Sequence, residues 1–249
     1  MSGHSKWATI KHKKGAADKA RGKLFAKVAR QIEVAAREGG GDPSTNASLR
    51  SAIQKAKAAQ MTNDAIERAV KRGSGEASGA AYEAITYEGY APGGVALLIE
   101  VLTDNRNRTG AEIRNVFTKL GGSMAEPGSV SWQFGRLGVL LVGGSADEET
   151  VLMAALDAGA TDVVDDGGTW RVSSEPSKVF EIRDALIAAG LEVISAESPL
   201  VSENLVPITS VEEARKVLRV LEALEDNDDV QDVYSNFDIG DDVMEAAST

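Results

Sequence analysis

Cysteine is absent from the 249 residues. That rules out disulfides, Cys-ligated zinc and cysteine nucleophiles; it fits a reducing compartment without requiring one. Histidine occurs only as His4 and His12. Both sit in a polar N-terminal stretch, away from any serine–aspartate pair that would make a hydrolase triad. Two such imidazoles without neighbouring carboxylates do not make a zinc site. No G-x-x-x-x-G-K-[ST] run is present to cradle a nucleotide phosphate. Asp226-Asn227-Asp228-Asp229 opens like a calcium loop but lacks the glycine and closing glutamate, so a solvated acidic turn is expected there. No apolar run approaches the roughly 20 residues of a membrane span. Met1 to Trp7 carries no apolar core of a secretory signal. The expectation is a cytoplasmic, non-enzymatic protein with no cofactor, metal, membrane partner or small-molecule substrate.

What is present is charge, unevenly placed. Residues 1–72 hold 16 Lys/Arg against 6 Asp/Glu, whereas the rest holds 11 against 32. A cationic module is thus joined to an anionic body, and such asymmetry points to a polyanionic partner for one part only.

The cationic part is expected to be helical. From Ala17 to Glu38 the residues Leu24, Phe25, Val28, Ile32, Ala35 and Ala36 fall on one face about 120° wide. Lys19, Lys23, Lys27, Arg30 and Arg37 form a separate stripe about 80° wide. Gly39-Gly40-Gly41-Asp42-Pro43 ends this helix. A second helix carries Leu49, Ile53 and Ala56, and Thr62 caps a third with Ile66, Ala69 and Val70 inside. Gly73 to Gly79 has the composition of a linker.

Beyond it the pattern becomes α+β. Strands are expected at Tyr82–Tyr87, Val95–Thr103 and Val130–Phe134, with a helix at Ala111–Leu120. The segments Gly138–Val142, Glu148–Ala158, Asp162–Val164, Trp170–Val172, Lys178–Ala189 and Glu192–Ser195 follow in the order βαββαβ, that of a ferredoxin-like unit. A helix, Val211–Leu224, and a strand, Val230–Phe237, remain. Too little to form a domain alone, they are expected to complete the earlier sheet. The layout is a basic helical domain with an N-terminal arm (1–78), a discontinuous α+β middle domain (80–135 plus 205–240) and an inserted ferredoxin-like domain (136–204).

Two places offer contacts to nucleic acid. The arm and first helix set Lys6, Lys11, His12, Lys13, Lys14, Lys19, Arg21, Lys23, Lys27 and Arg30 around a single aromatic, Trp7. Basic side chains release counterions from phosphates, and an indole stacks on unpaired bases. A solvated arm is the plainer alternative. The second place is Asp104-Asn105-Arg106-Asn107-Arg108-Thr109, between an apolar strand and a helix start, where free N–H groups and guanidinium planes receive anions. The alternative is a turn in which Asp104 and Asn105 bond backbone, Thr109 caps the helix and the arginines pair with local acids. The second and third helices have the short turn of a helix-turn-helix, but Asp64 and Glu67 at the start of the third oppose groove entry.

The sequence resembles the YebC/PmpR family, which includes the mitochondrial translational activator of cytochrome c oxidase. The resemblance is carried by Gly3-His4-Ser5-Lys6-Trp7, Ile10 to Lys14, Asp18 to Phe25, Tyr87-Glu88-Gly89-Tyr90 with Pro92 to Val95, Leu102 to Thr109, and Asp228 to Tyr234. It starts at residue 3, which leaves no room for a presequence and implies a bacterial cytoplasmic member. Thr62 stands where proline is usual, Ala65 where asparagine is, and Thr161 where glutamate is. The resemblance implies three domains and a non-enzymatic, DNA-binding transcriptional regulator, with Lys6–Lys14 and Asp104–Thr109 as the contact segments. It also implies an alternative: a ribosome-associated translation factor that binds ribosomal or transfer RNA and relieves stalling at proline-rich stretches.

Overall fold

The computed structural model describes residues 17–75 and 81–248, and the side chains of 17–21, 241 and 248 lie outside the description. Mixed α and α+β in class, it has N-terminal helices followed by sheet-containing structure. The chain forms two compact units. One runs to Ser131 and resumes at Leu205; the other is Trp132–Asn204.

In the first unit, α1 (Ala17–Gly39), α2 (Ala47–Ala58) and α3 (Asn63–Gly73) form a bundle. Its core contains Val28, Ile32, Leu49, Ala56, Ile66 and Ala69, as the helical spacing of these residues requires. Leu24, expected on the same face, is 42% exposed. The α1–α2 turn is held by buried Asn46. Its amide donates to the carbonyls of Ala35 (2.7 Å) and Gly40 (2.8 Å), and its Oδ1 caps α2 at Leu49 N. Thr62 caps α3 through Ala65 N. Gly73, expected in a linker, instead closes α3 against α1, where a Cβ would sit 2.4 Å from the Glu33 carbonyl. Only glycine allows that approach.

The sheet of this unit comprises β1 (Glu83–Tyr90), β2 (Ala96–Thr103), β3 (Ser123–Ala125) and β11 (Val230–Ser235), in the order β11-β2-β1-β3. All neighbours are antiparallel. α4 (Arg106–Leu120) and α7 (Val211–Glu225) cover one face, packing Ile113, Phe117, Leu218 and Leu221 on Leu97, Ile99 and Val101. β1 runs past the expected Tyr87, since Glu88, Gly89 and Tyr90 pair with both β2 and β3; Gly89 lies under the Phe117 ring, which a Cβ there would meet at 2.5 Å.

The third strand is not Val130–Phe134. Glu88, buried on β1, accepts from the amides of Gly128 (2.7 Å), Val130 (2.6 Å) and Ser131 (3.0 Å). Those N–H groups are thereby withdrawn from any ladder, and Ser123–Ala125 pairs with β1 instead. The expected strand ending at Phe237 breaks at Asn236, whose Oδ1 accepts from Ala96 N at 2.8 Å. The chain then forms β12 (Phe237–Ile239), parallel to β10 (Val206–Ile208). A terminal helix, α8 (Asp241–Ser248), buries Met244 and was not evident in the sequence pattern.

In the second unit β4 (Phe134–Arg136) pairs with β9 (Leu200–Ser202). Between them run β5 (Gly138–Gly143), α5 (Glu148–Asp157), β6 (Asp162–Asp165), β7 (Thr169–Ser174), α6 (Val179–Ala188) and β8 (Val193–Glu197). The sheet order is β6-β7-β5-β8, antiparallel throughout, and the helices cover Leu140, Val142 and Val172.

Candidate nucleic-acid interface

The cationic stripe of α1 meets the acidic turn after α7. Lys23, Lys27 and Arg30 recur at helical spacing and share one face. Lys23 Nζ donates to the Asp226 carboxylate at 2.7 Å and the Asp226 carbonyl at 3.0 Å. Lys27 Nζ donates to the Glu225 carbonyl at 2.7 Å. These carbonyls end α7, where unsatisfied C=O groups carry the negative pole of the helix. Arg30 Nη1 reaches the carbonyls of Leu102 (3.0 Å) and Asp228 (2.8 Å) and the carboxylate of Asp229 (3.0 Å). Its guanidinium lies 4.9 Å from the Tyr82 ring centroid, a cation–π distance.

The hexad converges on the same carboxylate. Asn105, not Thr109, caps α4, accepting from Arg108 N at 3.1 Å. The helix therefore starts at Arg106, earlier than its apolar spacing indicated, and Thr109 turns inward. Thr109 Oγ1 donates to Asp229 Oδ2 at 2.6 Å, and Thr103 Oγ1 lies 3.1 Å from that oxygen. Arg108 Nη2 bridges Asp229 (2.7 Å) and Asp104 (2.9 Å). Arg106 is exposed and faces Glu83 at 3.6 Å, and Asn107 is exposed.

Asp229 is thus buried and satisfied from several sides, whereas a solvated turn was expected; Asp226 and Asp228 alone keep that exposure. Burial pushes its carboxyl pKa up, but hydrogen bonds from Thr109, Arg108 and Thr103 outweigh that and hold it below the ordinary value. The same contacts, Asp229 first and Asp104 next, raise the Arg108 pKa further. At Glu88 burial acts upward, and the amides of Val130, Gly128 and Ser131 bring the pKa below normal.

Lys23, Arg30 and Arg108 line an open cleft of about 480 Å³ together with Glu112, Asn227 and the carboxylates of Asp226, Asp228 and Asp229. Its cations face at least as many carboxylates, so it offers no unopposed positive surface. Among the described residues no cluster of His, Asp and Glu is placed to hold a metal, and no helix is long and apolar enough to cross a membrane.

Lys6, Trp7, Lys11, His12, Lys13 and Lys14 lie outside the described residues, as do the side chains of Lys19 and Arg21. Lys23, Lys27, Arg30 and Arg108 are brought together; Asn105, Arg106 and Asn107 sit beside them at the start of α4. What sequence reasoning missed is Asp229 as the shared acceptor. The run Asp226-Asn227-Asp228-Asp229 carried a signal only in its position between an amphipathic helix and a strand.

The comparisons agree over nearly the whole chain. The pattern described as the TACO1/YebC protein N-terminal domain matches residues 5–76, and that described as the TACO1/YebC second and third domain matches residues 82–237. A protein of Halothermothrix orenii is 54% identical over 248 residues, covering 98% of each chain. One of Rubrobacter xylanophilus is 56% identical over 246 residues, again covering 98% of each. Both are named probable transcriptional regulatory protein. The crystal structure of a conserved hypothetical protein from Aquifex aeolicus superimposes with a TM-score of 0.80 at 43% identity, covering 90% of this chain and 93% of that one. The chain belongs to the TACO1/YebC family.

Proposed function

We propose that the protein is a non-enzymatic, nucleic-acid-binding regulator of gene expression, a DNA-binding transcriptional regulator acting in the cytoplasm. The observation that carries this reading is the charge segregation, 16 Lys/Arg against 6 Asp/Glu in residues 1–72, on a module that folds around its own core. The names of its relatives support the regulatory role. In this reading Lys6, Trp7, Lys11, His12, Lys13, Lys14, Lys19 and Arg21 contact the nucleic acid. Arg106 and Asn107 add a smaller contact. Lys23, Lys27 and Arg30 hold the bundle on the sheet, and Arg108 secures Asp229, the acceptor of Arg30, from the α4 side. The strand order and antiparallel pairing of Trp132–Asn204 support reading that unit as a ferredoxin-like insertion in a discontinuous middle domain.

A second reading, a ribosome-associated translation factor, is favoured by one feature. Exposed Asp104, Glu112, Asp226 and Asp228 surround the start of α4. They would repel a long duplex within a Debye length of about 8 Å, whereas folded RNA with unpaired bases can meet the arm alone. Co-sedimentation with ribosomes and binding to promoter DNA, measured at matched salt, separate the readings. Retention on DNA without ribosome association supports the first, the reverse supports the second, and absence from both overturns each.

A further inference from the structure

From Pro43 to Thr62 the chain contains no carboxylate, yet α2 alone carries Arg50, Lys55 and Lys57. A helix that only meets solvent usually mixes both signs, because i,i+4 pairs of opposite charge support it. At about 100° per residue, Arg50 and Lys57 fall within about 20° of each other, roughly 150° around the helix from Lys55. The two sides differ in surroundings. Lys55 faces Asp232 of β11 at 3.4 Å. Arg50 and Lys57 are exposed and have no partner among the described residues. Half-buried Gln54 lies between them, and the flanking Ala47, Ser51 and Ala58 are small and exposed, so a phosphate chain can approach this side of the helix. By contrast, the stripe of α1 is occupied by the turn at Glu225–Asp229.

We infer that the Arg50–Lys57 flank of α2 is a second contact surface for the phosphodiester backbone of nucleic acid, separate from the N-terminal arm. The inference rests on the nucleic-acid-binding reading above. Seven residues of helix place the two side-chain origins about 10 Å apart along the axis, a span of about three nucleotide steps at roughly 3.4 Å each. The arm supplies one set of phosphate contacts, and this flank engages the same strand further along.

The test uses the full chain with two probes, a duplex DNA and an RNA hairpin of equal length, titrated across a salt series. Arg50→Gln/Lys57→Gln is compared with an arm variant, Lys11→Ala/Lys13→Ala/Lys14→Ala. It is also compared with a charge-matched control, Lys119→Ala/Arg219→Ala, on exposed sites of α4 and α7. Thermal unfolding checks that each folds. The expected result is a salt slope for the α2 variant that is shallower by about 1.8 on DNA, with the control unchanged and the charge-reversed Arg50→Glu/Lys57→Glu weaker still. Comparison of the probes shows which nucleic acid the flank prefers. An α2 variant indistinguishable from wild type, while the arm variant loses binding, overturns this inference and leaves the function standing. No binding by the wild type to either probe overturns both.

Discussion

Arg30 of α1 donates to Asp229 at 3.0 Å, and the side chains of this pair are only 15% and 8% exposed. The contact joins residues 199 positions apart and ties the helical bundle to the sheet. Removing one partner of a buried pair leaves the other charge uncompensated, which costs about 3–5 kcal/mol. Asp229→Ala is therefore expected to lower the unfolding free energy by about 3 kcal/mol in urea titrations, since it also strips Thr109 and Thr103 of their acceptor. Arg108→Ala, at a more exposed site, is expected to cost clearly less. Equal losses for the two would contradict the assignment of Asp229 as the shared acceptor.

The pH dependence follows from the same groups. Asp229 and Glu88 both have folded pKa values below their unfolded ones. Each contributes stability that is complete above the unfolded carboxyl value, about 4, and disappears as pH falls through the lower folded value. Wild-type stability is expected to drop steeply below about pH 4. Asp229→Asn should flatten that drop. A variant that loses stability with acid as steeply as the wild type would refute the linkage.

Glu88→Gln is expected to cost about 2 kcal/mol, because the amide has one acceptor oxygen where the carboxylate served three N–H groups. Hydrogen exchange should localise the effect, speeding at Gly128, Val130 and Ser131 before the rest of the sheet. Unchanged exchange at these amides would remove Glu88 as the clamp of this loop.

Two glycine substitutions should move stability in opposite directions. Gly73→Ala places its Cβ 2.4 Å from the Glu33 carbonyl and 2.7 Å from Ala36 Cβ; such overpacking costs about 1–3 kcal/mol. Gly22→Ala meets nothing within 4 Å in α1 and should stabilise by about 0.5–1 kcal/mol through reduced chain entropy. Melting temperatures compared side by side check the pair.

The elements that sequence made legible are those with a local cause. Thr62 capping, the apolar run from Val95 to Leu102, and the apolar spacing of Val28 and Ile32 all act within a few residues. What stayed hidden depends on distant partners. The stripe Lys23–Lys27–Arg30 has the spacing of an exposed binding face, and only the folded chain brings the end of α7 against it. Val130 to Phe134 has strand composition, but Glu88, some 40 residues earlier, takes its amides. Thr109 looked like a cap because the apolar pattern of α4 begins after it, whereas Asn105 starts the helix and turns Thr109 to Asp229.

The central claim, that the cationic N-terminus binds nucleic acid through phosphates, is tested most directly by the salt dependence of affinity. Fluorescence anisotropy with a labelled duplex would compare wild type with Lys11→Ala/Lys13→Ala/Lys14→Ala across a salt series. If five phosphates are neutralised, log K falls linearly with log salt at a slope of about −4.5, and the triple variant is shallower by about 2.7. Binding that ignores salt, or a triple variant that binds as the wild type does, would contradict the account.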